Sequence, residues 1–145
     1  MKQIILISLL LLITLSLFSY KLGIHCKMIT TNIPTFKKAV YVAETARNSL
    51  AAKFLKSGDL IIGGNALTVS FSIPKSQQTS YKEDHTNTLI TSKKISSRKV
   101  DYNSYSKYAL NNFEHFQALV DGIATGMGFL LVIRNNQCYK FEFDF

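Results

Sequence analysis

The residues best suited to chemistry in this chain are histidines that stand close to carboxylates. Glu83 and His85 are two residues apart in the stretch YKEDH, and on a β-strand two such residues would share a face. A carboxylate beside an imidazole can supply the general base and the general acid of a reaction. The polar surroundings nevertheless favour a solvated loop. His115, next to Glu114, and His25 show no pattern that pairs them with a second catalytic group.

The same charged stretch supplies candidate ligands for zinc, but their spacing is not that of a zinc site. The set comprises Glu83, Asp84, His85 and His115. Zinc sites commonly show paired CxxC or HExxH spacing, which the chain lacks. The chain also lacks the Gly-x-Ser-x-Gly turn of serine hydrolases. We therefore expect no metal and no other cofactor.

A basic stretch followed by tyrosines is the clearest candidate for binding. Its cations and rings are Lys93, Lys94, Arg98, Lys99, Tyr102, Tyr105 and Tyr108. Cations can bind phosphate groups and aromatic rings can stack on bases, so the combination favours single-stranded RNA. The net charge of +8 suits a polyanion, a membrane surface or an acidic partner, and does not choose among them. The alternative is a solvated basic loop with ordinary tyrosine packing.

The first 19 residues have the pattern of a secretory signal peptide. Lys2 precedes an apolar run over residues 4–18, and polar, basic sequence follows. The run is shorter than the roughly 20 residues that a membrane-spanning helix needs. We expect cleavage after Ser19, which leaves residues 20–145 as one secreted domain without stable membrane association. A signal anchor that is not cleaved is the alternative.

The C-terminal residues predict a β-strand with an aromatic inner face, because every second residue is aromatic: Tyr139, Phe141, Phe143 and Phe145. Cys138 falls on the opposite, outer face of this strand. The chain has two cysteines, and secreted proteins favour disulfides. We therefore expect a bond between Cys26 and Cys138 that fixes the N-terminal arm across the sheet. Two unpaired thiols are the alternative.

An amphipathic helix is predicted between Pro34 and Gly58, where apolar residues recur at spacings of three and four. These residues are Phe36, Ala39, Val40, Ala43, Ala46, Leu50, Ala51 and Phe54. Alternation predicts strands at 60–62 and 66–73, joined by a turn at 63–65. The elements thus favour an α+β protein in which one N-terminal helix packs on an antiparallel sheet.

Three later segments are less uniform. Residues 75–107 are polar and predict a long excursion with one or two short strands. Residues 113–123 keep helical spacing, but glycines follow soon after, so this segment stays ambiguous. The run FLLVIR at 129–134 predicts a buried strand that the turn 135–137 joins to the last one.

This arrangement resembles the ribonuclease-like secreted effectors of powdery mildew fungi. The resemblance depends on the signal peptide, on Ile24-His25-Cys26 where the family commonly has aromatic-x-Cys, and on FLLVIRNNQC ending at Cys138. It implies a microbial ribonuclease-like fold, with a helix on a twisted antiparallel sheet and a disulfide between the chain ends. It also implies a non-catalytic virulence effector, a monomer that enters host cells and binds host RNA or a host protein such as a plant immune receptor.

Two other functions remain open at this point. An active ribonuclease would need a general base, a general acid and a cation at the phosphate. It would therefore bring Glu83, His85 or His115 together with Arg134 or Arg98 in one cleft. The other possibility is a signal-anchored microbial surface protein with no effector role.

Overall fold

The computed structural model describes residues 17–19, 21–67 and 93–144. They form a seven-stranded sheet in which all neighbouring strands are antiparallel. The strands are β1 (Leu17–Ser19), β2 (Ile24–Thr30), β3 (Lys38–Thr45), β4 (Leu60–Leu67), β5 (Lys94–Val100), β6 (Met127–Arg134) and β7 (Gln137–Asp144). Their order across the sheet is β1-β2-β3-β4-β6-β7-β5. The helices are α1 (Ala51–Phe54), a 3-10 helix (Tyr102–Tyr108) and α2 (Phe113–Thr125).

The predicted N-terminal helix is wrong, because the first part of the segment forms strand β3, which contains Ala39, Val40 and Ala43 of the predicted apolar stripe. The centre of β3 is the run Val40, Tyr41 and Val42, and β-branched and aromatic residues favour strands. Val40 and Val42 are buried in one core cluster, whereas Ala39 is buried in another. A strand covered on both faces needs a continuous apolar run, which also satisfies helical spacing. Asn48 then turns the chain with a φ of 64°, and only the short α1 is helical.

The prediction of a turn at residues 63–65 is also wrong, because these residues lie within strand β4. Gly63 pairs with Leu131 of β6, and a bulge between Ile61 and Gly63 shifts the register. The strand predicted at 66–73 lies mostly outside the described residues.

The segment that the sequence leaves ambiguous forms the longest helix among the described residues, α2. Asn112 caps this helix, because its Oδ1 accepts the backbone N–H of His115 at 2.8 Å. The buried residues of α2 repeat at helical spacing: Phe116, Leu119, Val120 and Ile123. They join a core cluster with Phe141 and Phe143 of β7. One apolar stripe therefore fixes α2 against the sheet.

The sheet has two covered faces, and each has its own core cluster. We call the face that carries α1 and α2 the helix face, and the opposite one the tyrosine face. The smaller cluster, on the tyrosine face, contains Phe36, Ala39, Ile62, Leu131 and Cys138. Tyr102 and Tyr105 of the 3-10 helix pack against it. The sheet is therefore the middle layer of the protein.

The predicted disulfide is wrong: Cys26 and Cys138 are free thiols, and both are buried. Cys26 lies in β2 in the helix-face core, and Cys138 lies in β7 in the tyrosine-face core. Four strand spacings of about 4.8 Å separate these strands, or roughly 19 Å, whereas disulfide-bonded Cα atoms lie within about 7 Å. β7 and the part of its inner aromatic face up to Phe143 are as predicted, and Phe145 lies outside the described residues. The outer face is covered as well, since Cys138 is buried there. The predicted α+β fold closed by a terminal disulfide is thus replaced by a sheet without an N-terminal helix.

β1 comprises the last three residues of the predicted signal peptide, and it pairs with β2. Ser19 and Leu22, on either side of the expected cleavage position, are buried. Residues 1–16 lie outside the described part of the chain, so signal cleavage stays a prediction. Within the described part, no helix combines the length and the apolar character needed to cross a membrane.

Candidate nucleic-acid interface

The proposed acid–base pair, Glu83 and His85, lies outside the described residues, as does Asp84. His115 lies in the first turn of α2, where its Nδ1 accepts the backbone N–H of Asn111 at 3.1 Å. The imidazole therefore contributes to the start of the helix. Among the described residues, no three His, Cys, Asp or Glu side chains are grouped so that they could hold a metal ion.

Arg134 is the cation that an active ribonuclease would use to bind the phosphate. In the structure, its guanidinium instead makes hydrogen bonds within the protein. Its Nε donates to Asp59 Oδ1 at 2.9 Å, and its Nη2 donates to the carbonyl oxygen of Phe54 at 2.7 Å. The hydrogen bond to Asp59 is the main cause of the raised pKa of Arg134. The guanidinium also lies 5.9 Å from the centre of the Phe141 ring. These contacts with Asp59, Phe54 and Phe141 assign Arg134 a role in holding the end of β6.

The cations of the predicted RNA-binding stretch do not form one surface. In β5, Arg98 pairs with Lys140 and Lys94 with Asp144, which places both cations on the tyrosine face. Lys99 pairs with Tyr139 and therefore belongs to the helix face.

Lys93 precedes β5, and its contacts differ from those of the other three cations. Its Nζ donates to the carbonyl oxygen of Gly126 at 2.8 Å. Burial lowers the pKa of Lys93, and the nearby Asp144 opposes that shift. Lys93 therefore helps to anchor the start of β5 against the end of α2.

The 3-10 helix arranges the predicted tyrosines into an aromatic group. Asp101 caps it by accepting the backbone N–H of Asn103 at 3.0 Å. The ring centres of Tyr105 and Tyr108 lie 5.8 Å and 5.2 Å from that of Phe129 in β6. The third tyrosine, Tyr102, packs instead on the edge of another aromatic ring of the core. Phe129 of β6 thus packs against two neighbouring tyrosines of the 3-10 helix, although β6 is distant from this helix in sequence.

Gly63 allows the 3-10 helix to approach the sheet closely. A Cβ atom at this position would lie 2.4 Å from the carbonyl oxygen of Tyr108. Ala109 also pairs with Gly63 as an isolated bridge beside β4. A larger residue at position 63 would therefore displace the end of the 3-10 helix.

Cations surround this aromatic group. The Nζ of Lys140 lies 4.6 Å from the centre of the Phe129 ring and 5.1 Å from that of Tyr105. Arg98 reaches the Tyr105 hydroxyl, with 3.5 Å from Nη2 to Oη. We call the following set the cation–aromatic patch: Arg98, Tyr105, Lys107, Tyr108, Phe129 and Lys140.

The cations of the patch differ in what they can offer a ligand. The side chain of Lys140 is only 13 % exposed and also pairs with Glu142 at 2.9 Å, so it mainly orders the patch. That contact is the main reason why the pKa of Glu142 is lowered. Arg98 is 63 % exposed, and Lys107, whose Nζ lies 5.1 Å from the centre of the Tyr108 ring, is also exposed. These two cations are the ones that can reach a phosphate.

Three members of the patch, Lys107, Phe129 and Lys140, were not among the predicted site residues, although Lys107 lies inside the predicted basic stretch, between Tyr105 and Tyr108. The sequence could have identified Lys140, because the alternation of β7 places it on the side opposite the inner aromatic face. The sequence could not have identified Phe129, since its position next to the tyrosines depends on the pairing of β6 with β7. Comparisons with protein-family models, with curated proteins and with solved structures find no match to this chain.

Proposed function

We propose that this chain is a non-catalytic binding protein and that the cation–aromatic patch binds single-stranded RNA. The observation that carries the proposal is the placement of exposed Arg98 and Lys107 at the rim of a group of three aromatic rings. Such a surface offers cations to the phosphates and ring faces or edges to the bases. Because aromatic rings stack on any base and exposed cations bind any phosphate, we expect binding to be weak and largely independent of RNA sequence.

The salt dependence of binding gives a quantitative test. Each phosphate that the protein neutralises contributes about −0.7 to the slope of log affinity against log salt on single strands. Replacing Arg98 and Lys107 with Ser removes two contacts and should therefore flatten this slope by about 1.4. The assay is fluorescence anisotropy of a labelled oligouridine, titrated with the full chain at several salt concentrations.

A matched control removes the same charge from another place. Lys37 and Lys38 are exposed and lie at the start of β3, three positions from β7 in the sheet. Replacing both with Ser should change the slope far less than the Arg98/Lys107 change. Equal flattening in the two variants would mean that only net charge matters, and it would refute the patch as the binding surface.

Tyr105 tests the aromatic part of the proposal. Tyr105→Leu keeps an apolar side chain against the tyrosine-face core but removes the ring. If a base stacks on Tyr105, affinity should fall by about 1–3 kcal/mol with little change in the salt slope. Unchanged affinity would show that the ring serves only the packing of the 3-10 helix.

The absence of catalysis is also part of the proposal. An active ribonuclease would need a cation such as Arg134 at the scissile phosphate, but the contacts of its guanidinium are with Asp59 and Phe54. We expect no turnover of total RNA by the purified chain. Turnover that is lost in His85→Ala or His115→Ala would contradict this expectation.

A secreted effector role, with host RNA or a host protein as the partner, remains a proposal that the fold does not strengthen. The resemblance behind it was to a helix-first architecture closed by a disulfide, and the described residues show strand β3 in place of that helix and two free cysteines. The pattern of residues 1–19 supports secretion. Expression in a eukaryotic host should release a chain that begins near Tyr20, whereas retention in the membrane would favour the signal-anchor alternative.

A further inference from the structure

Strand β5 forms one edge of the sheet, and among the described strands it pairs with β7 alone. It is the longer of the two edge strands, with seven residues against three in β1. Its register with β7 is unbroken from Lys94 to Val100, so no bulge turns its outer side away. An edge strand of this kind presents backbone N–H and C=O groups that can pair with a further strand.

Both ends of β5 are fixed in place, and its side chains are accessible. Before the strand, the Nζ of Lys93 donates to the carbonyl oxygen of Gly126 at 2.8 Å. After the strand, Asp101 accepts the backbone N–H of Asn103 at 3.0 Å. Five residues of β5 are exposed: Lys94, Ser96, Ser97, Arg98 and Lys99. The strand is therefore already extended and ordered, which lowers the entropy that pairing with a partner costs.

The charge of this edge limits what can pair with it. Strand β5 contains no carboxylate and three cations: Lys94, Arg98 and Lys99. Strand β7 offsets part of this charge, because Asp144 pairs with Lys94 and Glu142 Oε1 lies 3.9 Å from the Nη2 of Arg98. Lys99 pairs instead with Tyr139. A second copy aligned through its own β5 would bring cations close to cations, which destabilises neighbouring strands, whereas an acidic strand would gain charge pairs.

We propose that β5 binds an extended acidic segment of a partner protein, which adds to the seven-stranded sheet as a further strand. The backbone of β5 supplies hydrogen bonds to the segment, and its cations select acidic side chains. All neighbouring strands in the sheet are antiparallel, and the added strand takes the same arrangement. Acidic residues of the partner then lie opposite Lys99, Arg98 and Lys94, and an apolar residue lies opposite Ile95.

A synthetic peptide tests this arrangement. The acetylated and amidated peptide TEETTVE places its three glutamates opposite the three cations when it runs antiparallel to β5. The reversed peptide EVTTEET has the same composition and charge, but its order loses at least one of these cross-strand pairs. In fluorescence anisotropy with the full chain, we expect TEETTVE to bind at least about threefold more tightly than EVTTEET.

A lysine variant separates this site from the RNA-binding patch. Lys94→Ser/Lys99→Ser removes two cations of β5 but keeps Arg98, which is the only member of the cation–aromatic patch in this strand. Peptide binding should weaken about fivefold, while the salt slope of RNA binding should change little. The matched control Lys37→Ser/Lys38→Ser removes the same charge at the start of β3 and should weaken peptide binding by less than about twofold.

Hydrogen exchange followed by amide NMR locates the peptide. Alternate N–H groups of an antiparallel strand point to opposite sides, so the β5 amides that point away from β7 should exchange quickly in the free chain. TEETTVE should protect these amides. Their protection in the free chain would show that another part of the chain or a second copy already covers the edge, and it would overturn the proposal. Equal affinities for the two peptides, or equal losses in the two lysine variants, would overturn it as well.

Discussion

The buried ion pair between Arg134 and Asp59 allows a sharp prediction about stability. Asp59 is 2 % exposed and accepts two hydrogen bonds from Arg134 and one from the backbone N–H of Lys56 at 2.8 Å. Arg134→Met keeps an apolar side chain of similar length but leaves the carboxylate buried with one donor. Removing one partner of a buried pair costs about 3–5 kcal/mol. The Arg134 side chain is 22 % exposed, so water can partly replace it, and we expect about 3 kcal/mol.

A double-mutant cycle separates this electrostatic cost from lost packing. Asp59→Asn keeps the shape of the side chain and removes its charge, so the double variant Asp59→Asn/Arg134→Met contains no unpaired charge. We expect the double variant to be more stable than the sum of the single changes implies, by about 2 kcal/mol. Urea unfolding followed by tyrosine fluorescence gives each free energy, since the chain has seven tyrosines and no tryptophan.

The exposed Lys107 provides the control for this prediction. Lys107→Met removes an exposed cation and should change the free energy of unfolding by no more than about 0.5 kcal/mol. If Arg134→Met costs less than about 1 kcal/mol, or if the two single changes are additive, the pair does not stabilise the end of β6. The assignment of Arg134 to a structural role would then be wrong.

Four other predictions concern the thiols, the sheet and the helix cap. Burial raises the pKa of Cys26 to about 12 and that of Cys138 to about 11. The native chain at pH 8 should therefore react slowly with a thiol reagent, whereas two thiols should react quickly in urea. Because folding favours the protonated thiols, stability should fall as the pH rises from 9.0 towards 11, which pH-dependent urea unfolding can measure. Gly63→Ala places a Cβ against the Tyr108 carbonyl oxygen and should cost about 1–3 kcal/mol in urea unfolding while also weakening RNA binding. Asn112→Ala removes the cap of α2 and should cost about 1 kcal/mol, measured in the same way, and no loss would refute the capping role.

The fold could be predicted from the sequence where the pattern of one segment is decisive by itself. In β7, alternation is decisive, because Phe141 and Phe143 face a core while Glu142 reaches solvent. In β3 it is not, because the apolar run around Val40 fits a helix or a strand covered on both faces. The choice depends on β2 and β4, which pair with it. The prediction of a disulfide was wrong for a related reason, since the sequence around Cys138 does not show that the outer side of this residue is covered.

The residues of the cation–aromatic patch also differ in whether the sequence alone could identify them. Arg98 and Tyr105 lie in one continuous stretch, so composition alone could single them out. The same stretch also contains Lys99, which strand alternation places on the other face. Phe129 and Lys140 reach the patch only through the pairing of β6 and β7. Local sequence therefore predicts the kind of surface, while the register of distant strands decides its members.

The position of β7 in the sheet has a consequence for how the chain acquires its surfaces during synthesis. β5 precedes β6 and β7 in the chain, but its sheet partner is β7. On the ribosome, β5 therefore cannot pair with its neighbour in the sheet until β7 has emerged. Domains made mainly of such distant strand pairs fold slowly, and their unpaired strands are prone to aggregate in the meantime. Since β7 supplies Lys140 to the cation–aromatic patch, a nascent chain that ends at Arg134 could not yet assemble this patch.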